Sequence, residues 1–265
     1  IIITTKKQNK IFNIGVKLSN ILLKKILKIK KYNVSYHQIN KKITDILPYK
    51  TIGQTIDSLQ KPNSTSLWEG YHNKFYNDFG QIDMSKRFRR LLEIISEKKD
   101  ISSVTDIAGN EGYFSYLLSQ KENYSQLILI DYDENAVDKA YLNFKENAVN
   151  INPFLVNFMF TLDTEGTAKR LKSDLAIALA VTHHLILTGK FALPTILERV
   201  ASYSNKYVLI EFMPLGLWSI EHQTKQNLPE WYTLEWFRTA FIEKFDLIKE
   251  EQVEENRIAF FGKLK

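Results

Sequence analysis

Between residues 102 and 214 the chain alternates short apolar runs with amphipathic stretches, an order best met by a helix-covered parallel sheet. The runs at 103–107, 126–130, 153–158, 175–181 and 207–212 predict strands. The stretches at 113–120, 134–147 and 194–202 predict helices, and 166–172 predicts a shorter one. Strands that are apolar along their length need cover on both faces, which crossover helices provide. Downstream, 245–254 and 257–263 read as extended segments joined at Glu255-Asn256, a terminal antiparallel hairpin. Upstream, 84–98 reads as a helix with Phe88, Leu91, Leu92 and Ile95 on one stripe.

The loop after the first strand carries the sharpest local signal, Thr105-Asp106-Ile107-Ala108-Gly109-Asn110-Glu111-Gly112-Tyr113-Phe114-Ser115. Glycines at 109 and 112 let the backbone turn tightly and come close to a ligand. The amides at the start of the following helix favour a polar or anionic group. The second strand ends on Asp131, 25 residues after Asp106. In doubly wound folds an acid there hydrogen-bonds ribose hydroxyls. Its plain structural alternative is a helix cap.

With those residues in view, 103–214 resembles the core of class I S-adenosylmethionine-dependent methyltransferases. The matching parts are the glycine loop, the ribose acid, the run Ser173-Asp174-Leu175-Ala176-Ile177-Ala178-Leu179-Ala180-Val181-Thr182-His183-His184-Leu185, and 207–214. The segment 179–185, Ile210-Glu211-Phe212 and the upstream Trp68-Glu69-Gly70-Tyr71-His72 are similar to a nodulation-associated subgroup. The resemblance covers about 65–265 and nothing comparable marks 1–60. It implies an α/β, Rossmann-like mixed seven-stranded sheet with helices on both faces, to which the apolar spacing over 11–31 adds an N-terminal helical extension. It also implies S-adenosylmethionine as cofactor, held by Asp106, Gly109, Asn110, Gly112, Phe114, Asp131, Tyr132 and Asn157. Two departures stand out: Asn110-Glu111 replaces a third small residue, and Asn157 replaces the acid common after the third strand. An Asn amide can still bond an adenine edge. A nicotinamide enzyme would expect the fuller G-x-G-x-x-G before a pyrophosphate, and here Ile107 stands in the first glycine's place.

His183 and His184 close the fourth predicted strand and Glu211 closes the fifth. Histidine titrates near neutral pH and suits removal of a proton from an acceptor oxygen. Because neighbours on a strand point oppositely, at most one of the two histidines is expected to face the pocket. Glu211 would orient a histidine, bind the acceptor or cap the strand. These three residues are too few for a metal site. Trp68, Tyr71, His72, Phe75 and Tyr76 form an aromatic cluster before the core, read as helix packing or as a lid. Trp218, Trp231 and Trp236 offer a second acceptor wall. No Asn-Pro-Pro-Tyr motif is present, which argues against methylation of nucleic-acid bases.

At 265 residues the chain accommodates a basic helical extension at 1–60 and a methyltransferase domain at 61–265. There is no cysteine, which excludes disulfides and thiolate metal sites and fits a reducing, cytoplasmic setting. The net charge of +6 hides an asymmetry: residues 1–50 hold twelve lysines and one acid, Asp45. Within that segment Ile14, Leu18, Ile21, Leu22, Ile26 and Ile29 share a face, with Lys17, Lys24, Lys28 and Lys31 on another. This basic amphipathic pattern over 11–31 is expected either to pack on the domain or to contact an anionic membrane from its inner side. Neither a long apolar span nor a signal-peptide pattern appears, and the start at Ile1 rather than Met is expected of an excised domain or an incomplete sequence. The expected function is methyl transfer to a small-molecule or glycan-precursor acceptor, at oxygen, as in polysaccharide biosynthesis. The alternatives are a non-catalytic cofactor-binding module of a larger assembly and an RNA methyltransferase.

Overall fold

The structure, a computed structural model, describes residues 85–160, 164–217 and 227–265. The extension expected at 1–60, its helix at 11–31, the cluster Trp68, Tyr71, His72, Phe75 and Tyr76, and Trp218 lie outside them.

Helix α1 (Lys86–Ser96) begins where the Ser85 hydroxyl accepts from the Phe88 amide, and it buries Phe88, Leu91, Leu92, Ile94 and Ile95. The alternation then follows as β1 (Ser103–Ile107), α2 (Tyr113–Lys121), β2 (Gln126–Asp131), α3 (Glu134–Glu146), β3 (Asn152–Leu155) and α4 (Thr164–Arg170). It continues with β4 (Ser173–Ala178), a π-helical turn His184–Thr188, α5 (Leu193–Ser202) and β5 (Ser204–Phe212). Helix α6 (Leu234–Lys244) leads into the hairpin β6 (Phe245–Glu254) and β7 (Arg257–Leu264). Among the described residues these strands form one seven-stranded sheet in the order β3-β2-β1-β4-β5-β7-β6. The first five are parallel, and β7 runs antiparallel between β5 and β6.

The twofold period of the strands divides the core into two layers. Ala176 and Ala178 of β4, with Val208, Ile210 and Phe212 of β5, pack with Ile196 and Val200 of α5 and Phe237 and Phe241 of α6. Leu175, Ile177 and Leu209 face the other way, toward Leu91 of α1, Leu117 of α2 and Phe144 of α3. The fully apolar reading of 175–178 is thus explained by burial on both sides.

Three local differences from the expected elements matter for function. Strand β4 ends at Ala178, not 181, because Ala180 takes a left-handed φ of 51° and turns the chain out of the sheet. His183 and His184 therefore sit on a helical turn, not on a strand, and the expectation of opposite-facing neighbours does not apply there. Strand β3 stops at Leu155, and residues 156–160 after it line the cavity described below. Helix α6 had not been anticipated. Its signals are Thr233, whose hydroxyl accepts from the Trp236 amide, and Phe237 and Phe241 four apart on the buried side.

Candidate active site

The carboxyl ends of β1, β2, β4 and β5 point to one side of the sheet, where an open α/β fold places its ligand. A cavity of about 400 Å³ lies there. Asp106, Gly109, Asn110, Phe114, Asp131, Tyr132 and Asn157 all contribute to its wall.

Each of these is held by short-range chemistry. The turn after β1 places Ala108 and Asn110 at φ 55° and 52°, left-handed values tolerable only in a tightly supported loop. Between them Gly109 folds across Asp106, and a Cβ there would sit 2.8 Å from the Asp106 Oδ2. Gly112 does not line the cavity. It starts α2 at φ 81°, and a Cβ would meet the Phe144 ring at 2.2 Å, so its smallness serves the packing of α2 on α3. The larger Glu111 is accommodated by turning away into an ion pair with Lys139 at 3.1 Å.

Asp131 accepts from the amides of Asn110 at 2.8 Å and Asp133 at 2.9 Å, which ties the β2 end to the glycine turn. Burial raises its pKa, and these amides oppose the rise. Asp106 is buried deeper and takes one hydrogen bond, from the Ser115 hydroxyl at 2.7 Å. Desolvation pushes its carboxyl up to about 7. The Oδ1 of Asn110 is buried without a protein partner, so a donor on a bound ligand would complete it. Asn157 accepts from the Met159 amide at 3.1 Å through its Oδ1, which orients the side-chain NH₂ group for donation. Phe114 packs on Phe88 with ring centres 5.3 Å apart, carrying α1 against the glycine turn.

The other end of the cavity is built differently. His184 lines it, and His183 packs behind with its ring tilted by 42° at a centroid separation of 4.0 Å, buried with its Nδ1 unpartnered. Burial lowers the pKa of both rings, that of His184 to about 4, with the nearby Arg257 charge adding to the effect. Both are therefore neutral imidazoles near pH 7. Glu211 is fully buried behind the wall rather than in it. It accepts from Arg87 Nε at 2.7 Å, Arg87 Nη2 at 2.6 Å, Arg257 Nη1 at 3.4 Å and the Ala180 amide at 3.0 Å. The arginine charges hold its carboxyl below the usual range in spite of burial.

Arg87 and Arg257 themselves line the cavity, and neither was anticipated from sequence. No local pattern could have found them, since they reach Glu211 from 124 and 46 residues away. Trp231 and Trp236 instead pair edge to face at 4.9 Å around Tyr232 and are not among the cavity-lining residues. Among the described residues no group of three or more His, Asp or Glu side chains could hold a metal ion. No described helix is long and apolar enough to cross a membrane.

No family model matches the chain. It is 24% identical over 157 residues to nodulation protein NoeA of Rhizobium meliloti strain 1021, covering 56% of this chain and 32% of that protein. The chain thus spans about a third of the curated relative it matches. Among solved structures, magnesium protoporphyrin IX methyltransferase (ChlM) from Synechocystis PCC 6803 with bound S-adenosylmethionine superimposes with a TM-score of 0.55. That match covers 83% of this chain and 98% of the other at 12% identity. The fold is that of the S-adenosylmethionine-dependent methyltransferases. A second protein of this methyltransferase fold is the N-methyltransferase NodS from Bradyrhizobium japonicum WM9, in complex with S-adenosylhomocysteine. It superimposes with a TM-score of 0.50 at 14% identity, covering 68% of this chain and 86% of the other. The methyltransferase fold accounts for the β6–β7 hairpin, which closes the sheet beside β5.

Proposed function

We propose that this chain is an S-adenosylmethionine-dependent methyltransferase acting on a small-molecule or glycan-precursor acceptor, with transfer to oxygen. The observation that carries this reading is a single cavity joining the glycine turn, Asp131 and Asn157 to a neutral histidine, His184. Bound at the first end, the cofactor supplies a methyl group already activated by a sulfonium. The residues fit that group: Asp131 accepts from ribose hydroxyls, the Asn157 amide donates to an adenine edge, and the orphan Oδ1 of Asn110 accepts from an ammonium or hydroxyl. Gly109 permits the close approach.

The protein's own contribution is placement. Holding an acceptor in line with an activated methyl group removes most of the entropic barrier. His184, in the wall on the acceptor side, takes the hydroxyl proton as the oxygen forms its new bond. His183 packs behind it and sets its orientation. Glu211, fully buried, acts on the site through the groups it holds, the Arg87 and Arg257 guanidiniums and the Ala180 amide.

Calorimetry with S-adenosylmethionine tests the reading. Wild-type protein should bind it, and Asp131→Ala should weaken binding by about 1–3 kcal/mol, the cost of losing a charged acceptor. Wild-type affinity in a folded Asp131→Ala protein would remove the ribose assignment.

A further inference from the structure

Trp231 is 51% exposed, although its backbone is pinned in a tight turn. The Tyr232 amide donates to the Pro229 carbonyl at 2.9 Å, and the Thr233 amide donates to the Trp231 carbonyl at 2.9 Å. Beside it, Trp236 packs on the core and meets the Trp231 ring at 4.9 Å and 60°. Tyr232 between them is buried, packs on Phe212 and donates its hydroxyl to the Met213 carbonyl at 3.0 Å. Tyr232 and Phe237 already close this end of the core, so packing alone gives no reason for a second large ring on the turn. Neither indole N–H is bonded to another described residue. A rigid aromatic pair held partly in water, with its polar edges free, is the form of a binding face.

Charge narrows the ligand. Each indole is preceded by an exposed glutamate, Glu230 and Glu235. Arg238, in the first turns of α6, is held by Glu235 and by Glu250, the latter at 2.6 Å. Nucleic acids and anionic membranes both need cations beside such a platform, and here carboxylates stand there instead. A neutral, polyhydroxylated ring suits these groups. Its C–H face lies on the indole, while its hydroxyls donate to the glutamates and accept from the indole N–H. Position ties the turn to the cavity: Met213 follows β5 directly, and its Sδ accepts from Arg257, which lines the cavity, at 3.8 Å. We propose that the Trp231 turn is an outlying sugar subsite, taking a neutral ring of the acceptor beyond the unit that enters the cavity. Trp231 is the stacking face, Trp236 backs it and Glu230 accepts from sugar hydroxyls. This rests on the reading of a glycan-type methyl acceptor above.

Neutral oligosaccharides are the probe. Maltohexaose, cellohexaose and chitohexaose are titrated into the full chain saturated with S-adenosylhomocysteine, followed by calorimetry and indole fluorescence. One or more should bind and perturb the fluorescence. Trp231→Ala should weaken that sugar by about tenfold or more, the usual loss when a tryptophan anchor is truncated. Trp231→Phe keeps a flat ring and should retain part of the affinity. In both variants S-adenosylhomocysteine affinity should stay within about twofold, as for a surface change away from the cavity lining. Three results would overturn the assignment. The first is no binding of any of the three sugars, and the second is sugar binding that Trp231→Ala leaves unchanged. The third is Trp231-dependent binding of oligothymidylate or of phosphatidylglycerol vesicles in place of sugar. Self-association lost in Trp231→Ala, without sugar binding, would give the face to a second copy of the chain. Cofactor binding without sugar binding sinks this inference alone, whereas absence of any S-adenosylhomocysteine binding sinks the methyltransferase reading and the subsite's acceptor role with it.

Discussion

At the β1–β2 end of the cavity, the inward-facing acids Asp106 and Asp131 lie 25 residues apart on adjacent strands, joined by one helix. At the β5–β7 end, Arg87, Glu211 and Arg257 come from three distant parts of the chain and meet only when the sheet closes. The first end is held by backbone amides and a glycine turn, the second by charge. One consequence is energetic. Burial works against the ionised form of both acids at the first end, whereas at the second end the arginines hold Glu211 ionised. The first end should tolerate neutral replacements, and the second should not.

Glu211→Ala is the harshest test of that contrast. It would leave the Arg87 and Arg257 guanidiniums facing each other without their buried partner. Breaking a buried ion pair from one side typically costs about 3–5 kcal/mol. Chemical denaturation should register a loss of that size. A loss below about 1 kcal/mol would mean that Glu211 is not the electrostatic centre of the corner.

The same contrast explains what could be read in the sequence. The strands, the crossover helices and the hairpin are short-range patterns of apolar period, and their places were legible to within a few residues. So was the lining of the β1–β2 end of the cavity, because a turn and the acid after the next strand lie in one βαβ unit. Two kinds of feature were not legible. Where β4 ends depends on the left-handed turn at Ala180, which no apolar count reveals, and this decides how His183 and His184 are presented. The arginine corner depends on sheet order, since β7 inserts beside β5 and brings Arg257 past Phe212. Glu211 was noticed as a strand-closing acid, but its partners could not be.

Asp106 gives the opposite expectation from Glu211. Its unfolded carboxyl ionises near 3.8 and its folded one near 7 in the ligand-free chain. Between those values the folded state holds a proton that the unfolded state has released. Stability therefore falls as pH rises from about 4 to about 7, and then levels off. Asp106→Asn removes the titrating group while keeping an oxygen to accept from Ser115. The variant should show a flatter profile and gain up to about 4 kcal/mol over wild type above pH 7, with little difference at pH 4. Denaturation curves at pH 4, 5.5 and 7.5 decide it. A parallel pH profile in the two proteins would show that Asp106 does not carry the linkage.

The histidine pair offers the finest discrimination, because its members share chemistry and neighbours but not position. His184 borders the cavity, and His183 stands behind it at 4.0 Å. If proton transfer occurs at this corner, His184→Ala should lower turnover roughly a hundredfold, the usual contribution of a positioned base. Its S-adenosylmethionine affinity should be unchanged, since the anchors proposed for the cofactor lie at the other end. His183→Ala opens a cavity in packed structure and should mainly lower stability, leaving turnover within a few-fold. Turnover is measured as label passed from S-adenosylmethionine to an acceptor fraction of cell extract, with cofactor affinity followed separately by calorimetry. The pH profile adds a check that a purely structural role would not pass. With His184 neutral well below pH 7, wild-type activity should hold steady down to about pH 5 and fall below that as the ring protonates. In His184→Ala that acid limb should disappear together with most of the rate. Equal losses in the two alanine variants would assign the pair to packing. Full activity in both would leave alignment of acceptor and methyl group as the whole of the mechanism.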